Sequence, residues 1–161
     1  MKQVKTNAMR LLDEAGIEYT AHSYTHKHND PVDGISVAEK MGQPLEQVYK
    51  TLVTQTHDNE YVVFMLPVAE ELDLKKCARA AGTKSLEMIH VKDIHKITGY
   101  IRGGCSPLGM KKDYRTFIDE NVILQDRIYF SGGKIGVQIE MDPEDLIRFR
   151  HIETADLIKE K

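Results

Sequence analysis

Two apolar, β-rich runs separated by three polar residues place the strongest constraint on the fold of this chain. Residues 48–56 and 60–66 are rich in valine, threonine and tyrosine, and the sequence His-Asp-Asn at 57–59 lies between them. Three polar residues form a loop of hairpin length, so the two runs are predicted to pair as antiparallel strands. The chain is therefore expected to contain a sheet built around this hairpin.

Further helix and strand patterns surround the hairpin. Apolar residues at helical spacing predict helices over 7–15, 37–41, 74–81, 91–97 and 143–149. Thr6 or Asn7, Ser36 and Asp73 are the predicted caps of the first three of these helices. β-branched and aromatic residues predict strands over 17–24, 86–89, 115–118, 127–130 and 136–141. Helices interspersed with hairpin-linked strands favour an α/β (mixed α+β) fold with a mixed, partly antiparallel sheet, and not a doubly wound parallel one.

Length and charge limit the class of protein. With 161 residues, 41% of them apolar and 29% charged, the chain has the composition of one globular domain covering residues 1–161. The formal charge is 22 basic minus 25 acidic residues, or -3, which excludes a generally basic nucleic-acid-binding protein. A polyanion would therefore have to meet a local basic patch.

Cysteine usage and hydropathy indicate the compartment. Cys77 and Cys105 lie in unlike surroundings and do not suggest a disulfide framework. The longest apolar run, residues 61–69, is interrupted by Pro67 and is far shorter than the roughly 20 residues that span a bilayer. We expect a cytoplasmic protein without a membrane segment.

A glycine-rich segment, Gly-Tyr-Ile-Arg-Gly-Gly-Cys-Ser-Pro-Leu-Gly at 99–109, holds the densest special chemistry. Adjacent glycines at Gly103 and Gly104 can turn backbone N–H groups toward an oxygen anion or a carbonyl. Pro107 stiffens the turn that follows. The same residues also fit a bent connection without a ligand, and the segment matches neither a Walker A motif nor a dinucleotide fingerprint.

Basic residues follow the glycines. Arg102, Lys111, Lys112 and Arg115 lie near one acid, Asp113, which gives a local charge of +3. Such a patch suits phosphate groups, although a solvated basic face explains it equally well.

Lys50 is unlike the other lysines because it shares a predicted strand face with Val48 and Leu52. A lysine there either extends its amine to solvent or points into a pocket, since burying an unpaired ammonium is costly. The pocket alternative implies an anionic or carbonyl ligand.

Nucleophile and metal chemistry are less favoured. Cys105 and Ser106 lack a Gly-x-Ser-x-Gly elbow, so Ser106 is interpreted as a hydroxyl that fixes a substrate carbonyl or amine. The ligand-rich loop holding His22, His26 and His28 has no recognised metal spacing, so we predict a polar loop rim and no metal.

The ordered motifs resemble those of the YbaK/EbsC family of aminoacyl-tRNA deacylases. These motifs are Lys50-Thr51-Leu52, Gly99-Tyr100-x-x-Gly103-Gly104-x-Ser106-Pro107-x-Gly109-x-Lys111-Lys112 and Ser131-Gly132-Gly133-Lys134. The family is similar to the editing domain inserted in bacterial prolyl-tRNA synthetase, and the resemblance implies a barrel-like sheet flanked by helices. It also implies trans-editing, in which cysteine wrongly attached to proline tRNA is removed, with prolyl-tRNA synthetase as a partner.

The resemblance assigns roles to several residues. It implies that no cofactor is needed, because the thiol of the bound cysteinyl group attacks its own ester carbonyl. Lys50 would contact the 3′-terminal nucleotide, and the Gly103 and Gly104 amides would hold the carbonyl oxygen. Tyr24 and Ser106 would line the aminoacyl pocket. Arg102, Lys111 and Lys112 would meet the phosphates of the acceptor end.

Two departures from the family leave the substrate open. Some relatives have an aromatic residue where this chain has Val32-Asp33-Gly34, and some have an acid near Gln138. One alternative is a deacylase for alanine on proline tRNA, which would need an activated water. Another is a module that binds tRNA or a synthetase without catalysis.

Overall fold

A computed structural model describes residues 5–27 and 29–160 of the chain. Its helices are α1 (Asn7–Ala15), α2 (Gly34–Met41), α3 (Leu74–Ala81), α4 (Ile94–Thr98) and α5 (Pro143–Arg150), with short 3₁₀ turns at Leu45–Gln47, Val91–Asp93 and Glu120–Leu124. Its strands are β1 (Thr20–Ser23), β2 (Tyr49–Thr56), β3 (Tyr61–Pro67), β4 (Leu86–Met88), β5 (Arg115–Asp119), β6 (Ile128–Ser131), β7 (Val137–Met141) and β8 (Glu153–Ala155).

The strands form two sheets. The predicted hairpin is confirmed, since β2 and β3 pair antiparallel from Tyr49 opposite Pro67 to Gln55 opposite Tyr61. These strands lie in a five-stranded sheet of order β4-β2-β3-β5-β8, in which β5 runs parallel to β3 and β8 runs parallel to β5. A three-stranded antiparallel sheet has the order β1-β7-β6. The mixed sheet is thus confirmed, but the described strands do not close into a barrel.

The hairpin separates two parts of the core. Side chains alternate between the faces of a strand, so Phe64 and Leu66 pack with Cys77 of α3. Met65 points the other way and packs with Leu12 of α1 and Ile139 of β7. A bridge between Val48 and Tyr129 joins the beginning of β2 to β6. The beginning of β2 is therefore held between the two sheets.

Helix capping explains most helix boundaries and one error. Thr6 accepts a hydrogen bond from the Met9 amide at 3.2 Å, and Asp73 caps α3, as predicted. The predicted cap Ser36 is wrong, because Asp33 caps α2 and accepts from the Ser36 amide at 3.1 Å. In the described part of the chain, no helix is long and apolar enough to cross a membrane.

Candidate functional site

A cavity of about 350 Å³ is lined by residues of both sheets. Its walls come from α2 and the loop before it, the beginning of β2, the glycine-rich segment, β6 and β7, and residues 88–94. Polar or reactive residues among its lining are Tyr24, Asp33, Lys50, Arg102, Cys105 and Gln138. This volume lies in the range of small-molecule pockets.

Lys50 lines this cavity and is half-buried. Burial lowers the pKa of its amine below the usual 10.5, while the nearby carboxylates of Glu71 and Glu70 act in the opposite direction. Within the described residues, no hydrogen bond from the Lys50 amine to another group is found. Of the two alternatives for this lysine, the structure therefore favours the pocket.

The backbone of Gly103 forms part of the cavity wall. Its φ is +86°, and a Cβ added there would lie 2.9 Å from the Cβ of Val32. Both the left-handed backbone and this close approach require glycine. The loop before α2 therefore packs directly on the Gly103 backbone.

Gly104 has a different environment. Its N–H donates to the carbonyl of Ile101 at 2.9 Å, and it is buried against the backbone of Lys134. In this conformation the Gly104 amide closes a turn, and only Gly103 of the two glycines lines the cavity.

The other predicted site residues divide into three groups. Tyr24 and Arg102 line the cavity. Ser106 and Pro107 are buried outside the lining, and the Ser106 hydroxyl accepts a hydrogen bond from the Leu108 amide at 3.3 Å. Lys111 and Lys112 are exposed, and the Lys111 amine donates to the carbonyl of Lys96 at 3.2 Å.

Ion pairs change which residues carry the charge of the basic patch, while its value stays at +3. Asp113 pairs with Arg150, and Arg115 pairs with Glu153 at 2.8 Å. Arg102, Lys111 and Lys112 have no carboxylate within ion-pair distance among the described residues. These three cations can therefore still meet the phosphates of a ligand.

Cys105 lies in the cavity wall, but its thiol is not activated. Burial raises its pKa to about 11, and a hydrogen bond with Thr98 only partly opposes this shift. The thiolate is the nucleophilic form, and almost none of it exists near neutral pH. A covalent mechanism at Cys105 is thus disfavoured.

The histidine loop does not gather into a ligand set. His22 Nε2 lies 2.7 Å from Glu140 Oε1, and His28 lies outside the described residues. Among residues 5–27 and 29–160 there is no group of three potential metal-binding side chains.

Sequence reasoning missed two polar features at the cavity. The hydroxyl of Thr51 lines it and has no hydrogen-bond partner in the described part of the chain. Gln43 and Gln138 exchange two side-chain hydrogen bonds of 2.8 and 3.0 Å. Thr51 could have been selected as the neighbour of Lys50, whereas the pairing of Gln43 with Gln138 spans 95 residues and leaves no local pattern.

Comparisons with known proteins identify relatives of this chain. Residues 30–149 match the family described as the aminoacyl-tRNA editing domain. A proposed Cys-tRNA(Pro)/Cys-tRNA(Cys) deacylase, EbsC of Enterococcus faecalis, is 41% identical over 155 residues, which cover 96% of this chain and 94% of that protein. A proline–tRNA ligase of Brachyspira hyodysenteriae is 24% identical over 111 residues, covering 68% of this chain and 19% of the ligase.

A solved structure shares the fold. The crystal structure of a proposed trans-editing enzyme for prolyl-tRNA synthetase matches 98% of this chain and 100% of that one, with a TM-score of 0.80 and 20% identity. Together with the match over residues 30–149, these comparisons show that the chain belongs to the aminoacyl-tRNA editing domain family. The family predicted from the Lys50 and glycine motifs is confirmed.

Proposed function

We propose that this protein is a trans-editing deacylase that removes cysteine from proline tRNA. The observation that carries the proposal is that one cavity is lined by Lys50, whose amine has no hydrogen-bond partner among the described residues, by the backbone of Gly103 and by a cysteine thiol that burial keeps protonated. Such a site can bind and polarise an ester but offers no activated nucleophile of its own. The 41% identity to a proposed Cys-tRNA deacylase supports the same substrate.

The reaction then uses the thiol of the substrate. The sulfur of the cysteinyl group bonds to its own carbonyl carbon, and the bond from that carbon to the ribose oxygen breaks. The thiol proton ends on the ribose hydroxyl, and the released four-membered thiolactone is opened by water. The protein has to fold the cysteinyl group back on itself, because the attack occurs only at close approach.

Lys50 and Gly103 bind different parts of the substrate in this proposal. The Lys50 ammonium contacts the 3′-terminal nucleotide beside the ester. The Gly103 amide donates to the carbonyl oxygen as negative charge develops on it, and a preorganised donor of this kind typically lowers a barrier by about 3 to 4 kcal/mol. Gly104 supports the turn and joins as a second donor only if its bond to Ile101 opens. Tyr24 shapes the pocket around the aminoacyl group, while Ser106 and Pro107 support the glycine-rich segment from outside the lining.

The proposed partners follow from the substrate. Arg102, Lys111 and Lys112 contact phosphates of the tRNA acceptor end, and no cofactor takes part. The similarity of 111 residues to part of a proline–tRNA ligase supports prolyl-tRNA synthetase as the source of the mischarged tRNA. We place the protein in the cytoplasm, where charged tRNA is used, and treat residues 1–161 as one functional domain.

The test compares proline tRNA charged with cysteine, alanine, serine or proline. The wild-type protein should release cysteine fastest, and Lys50→Ala should reduce that rate at least a hundredfold. Lys75→Ala, at an exposed lysine of α3, is the matched control and should keep the rate. Faster release of alanine would indicate that an activated water, and not the substrate thiol, attacks the ester. If none of the four esters is hydrolysed, the protein is not a deacylase, and the alternative of a non-catalytic binding module is favoured.

A further inference from the structure

The side-chain amide of Gln138, which lines the cavity, pairs with that of Gln43, a residue outside the lining. The Gln43 amide nitrogen lies 2.8 Å from the Gln138 carbonyl oxygen, and the Gln138 amide nitrogen lies 3.0 Å from the Gln43 carbonyl oxygen. Each amide therefore donates once and accepts once. This reciprocal arrangement holds the Gln138 amide in place and uses one of its donor positions and one of its acceptor positions.

The backbone holds Gln43 in place for this contact. α2 ends at Gly42, whose φ is +66°, and the Gln43 N–H then donates to the Ala38 carbonyl at 2.9 Å. This is the Schellman arrangement of a helix end, and it fixes the position of the residue after the glycine. Gln138 lies on β7, between β1 and β6. The amide pair thus connects α2 to the three-stranded sheet.

Gln138 still has hydrogen-bonding capacity to offer. It is 3% exposed and lines the cavity, and among the described residues Gln43 is its recorded side-chain partner. A primary amide has two N–H donors and two acceptor sites on oxygen, so one of each remains on Gln138. The oxygen and nitrogen of the Gln138 amide each already have one partner, so a ligand that used the remaining positions would gain hydrogen bonds without breaking the pair.

We infer that the Gln138 amide recognises the polar atoms of the aminoacyl group, and that Gln43 is the positioning residue that orients it. This inference rests on the proposed function, because it places the aminoacyl end of the substrate in this cavity. The remaining Gln138 oxygen accepts a hydrogen bond from the substrate's α-ammonium group, and the remaining N–H faces its side-chain sulfur. The contact is uncharged, so it orients the cysteinyl group without holding its ammonium in an ion pair.

Two variants of Gln43 separate positioning from packing. Gln43→Met keeps the length of the side chain but removes both hydrogen bonds, so Gln138 can rotate. The KM for Cys-tRNA(Pro) should then rise about three- to tenfold, the loss expected for one hydrogen bond, while kcat changes less than twofold. Gln43→Glu still accepts from the Gln138 amide nitrogen but loses the donor to the Gln138 oxygen, so its KM should rise less than that of Gln43→Met. Gln55→Met is the matched control, since Gln55 bonds to Asn59 outside the cavity.

Binding of a cysteinyl-adenosine amide, which cannot be hydrolysed, is measured by calorimetry alongside the kinetics. Weaker binding to Gln43→Met than to Gln43→Glu supports the inference even if the protein cleaves no ester, in which case the proposed function alone fails. Active enzyme with the same KM and the same analogue affinity in Gln43→Met overturns the inference and leaves the proposed function standing. An equal loss of affinity in both Gln43 variants, accompanied by an equal fall in melting temperature, also overturns it, because packing alone would then explain the effect.

Discussion

At the scale of single residues, the amine of Lys50 makes the proposed site sensitive to pH. Burial lowers the pKa of this amine below the usual 10.5, so it loses its proton at a lower pH than an exposed lysine does. The neutral amine no longer attracts the 3′-terminal nucleotide. We therefore predict that the dissociation constant of the cysteinyl-adenosine amide increases as the pH rises from neutral, and that this increase begins at a lower pH than the ordinary lysine pKa of 10.5 would give.

Lys50→Arg provides the control for this prediction. An arginine keeps its charge throughout this range, so the alkaline loss of affinity should be smaller in this variant, and what remains comes from the ammonium and thiol of the ligand itself. Calorimetric titrations between about pH 7 and 10 measure the effect without the spontaneous hydrolysis of an ester. An alkaline loss that is equally steep in Lys50→Arg would show that another group titrates.

Residues differ in how far their surroundings could be predicted. Lys50 was identified because a charge interrupts an apolar strand face, which is a local pattern. Ser106 was expected in the pocket, but the structure buries its hydroxyl against the Leu108 amide. Its position depends on how the glycine-rich segment bends, and the sequence does not encode that bend through any periodic pattern.

At the scale of elements, the glycine-rich segment depends on its contact with the loop before α2. We predict that Gly103→Ala unfolds at a lower denaturant concentration and loses most deacylase activity, because its Cβ would lie 2.9 Å from Val32 Cβ and its φ is +86°. Strained backbone of this kind costs about 1 to 3 kcal/mol before the clash is counted. Urea unfolding and single-turnover kinetics measure the two effects.

Two further variants separate the backbone strain from the clash. Gly16→Ala also has a positive φ, +71°, but nothing lies within 4 Å of its added Cβ, so it should be destabilised by the strain alone. Gly103→Ala should be less destabilising in a Val32→Gly background than in the wild type, because glycine removes the Val32 Cβ that the new methyl group meets. Equal destabilisation in Gly16→Ala and Gly103→Ala would contradict the importance of the contact with Val32.

Local elements were largely predictable, and long-range pairing was not. The hairpin and α3 follow from alternation, helical spacing and the cap at Asp73. The sequence predicts Ser36 as the cap of α2, but Asp33 is also a capping residue type. Sequence alone does not distinguish the two, and the structure shows that Asp33 is the cap. β8 was missed since its three residues, Glu153–Ala155, are exposed or half-buried and form a strand by pairing with β5.

At the scale of the whole molecule, ion pairing distributes the positive charge unevenly. Many cations have a carboxylate partner, as Lys5 has Asp13 and Lys76 has Asp156. Arg102 lines the cavity, and further exposed cations without an ion-pair partner among the described residues occur in residues 92–96 and 111–112 and at Lys134. A chain with a net charge of -3 can in this way still present local basic patches.

This charge distribution predicts which lysines contribute to the salt dependence of tRNA binding. Each lysine that neutralises a phosphate contributes about 0.7 to 0.9 to the slope of log affinity against log salt concentration. Replacing both Lys96 and Lys111 by glutamine should therefore reduce that slope by about 1.5. Filter binding of uncharged proline tRNA between about 50 and 200 mM salt measures the slope whether or not the protein cleaves an ester.

Replacing Lys75 and Lys84 by glutamine is the matched control for this measurement. Both lysines are exposed, lie at α3 or just after it, and do not line the cavity. The control removes the same charge from the molecule, so it should lower affinity slightly and leave the slope unchanged. Equal slopes for the two double variants would mean that net charge alone governs binding. A smaller slope in the Lys96 and Lys111 variant alone would place the acceptor end on the face formed by α4 and residues 111–112.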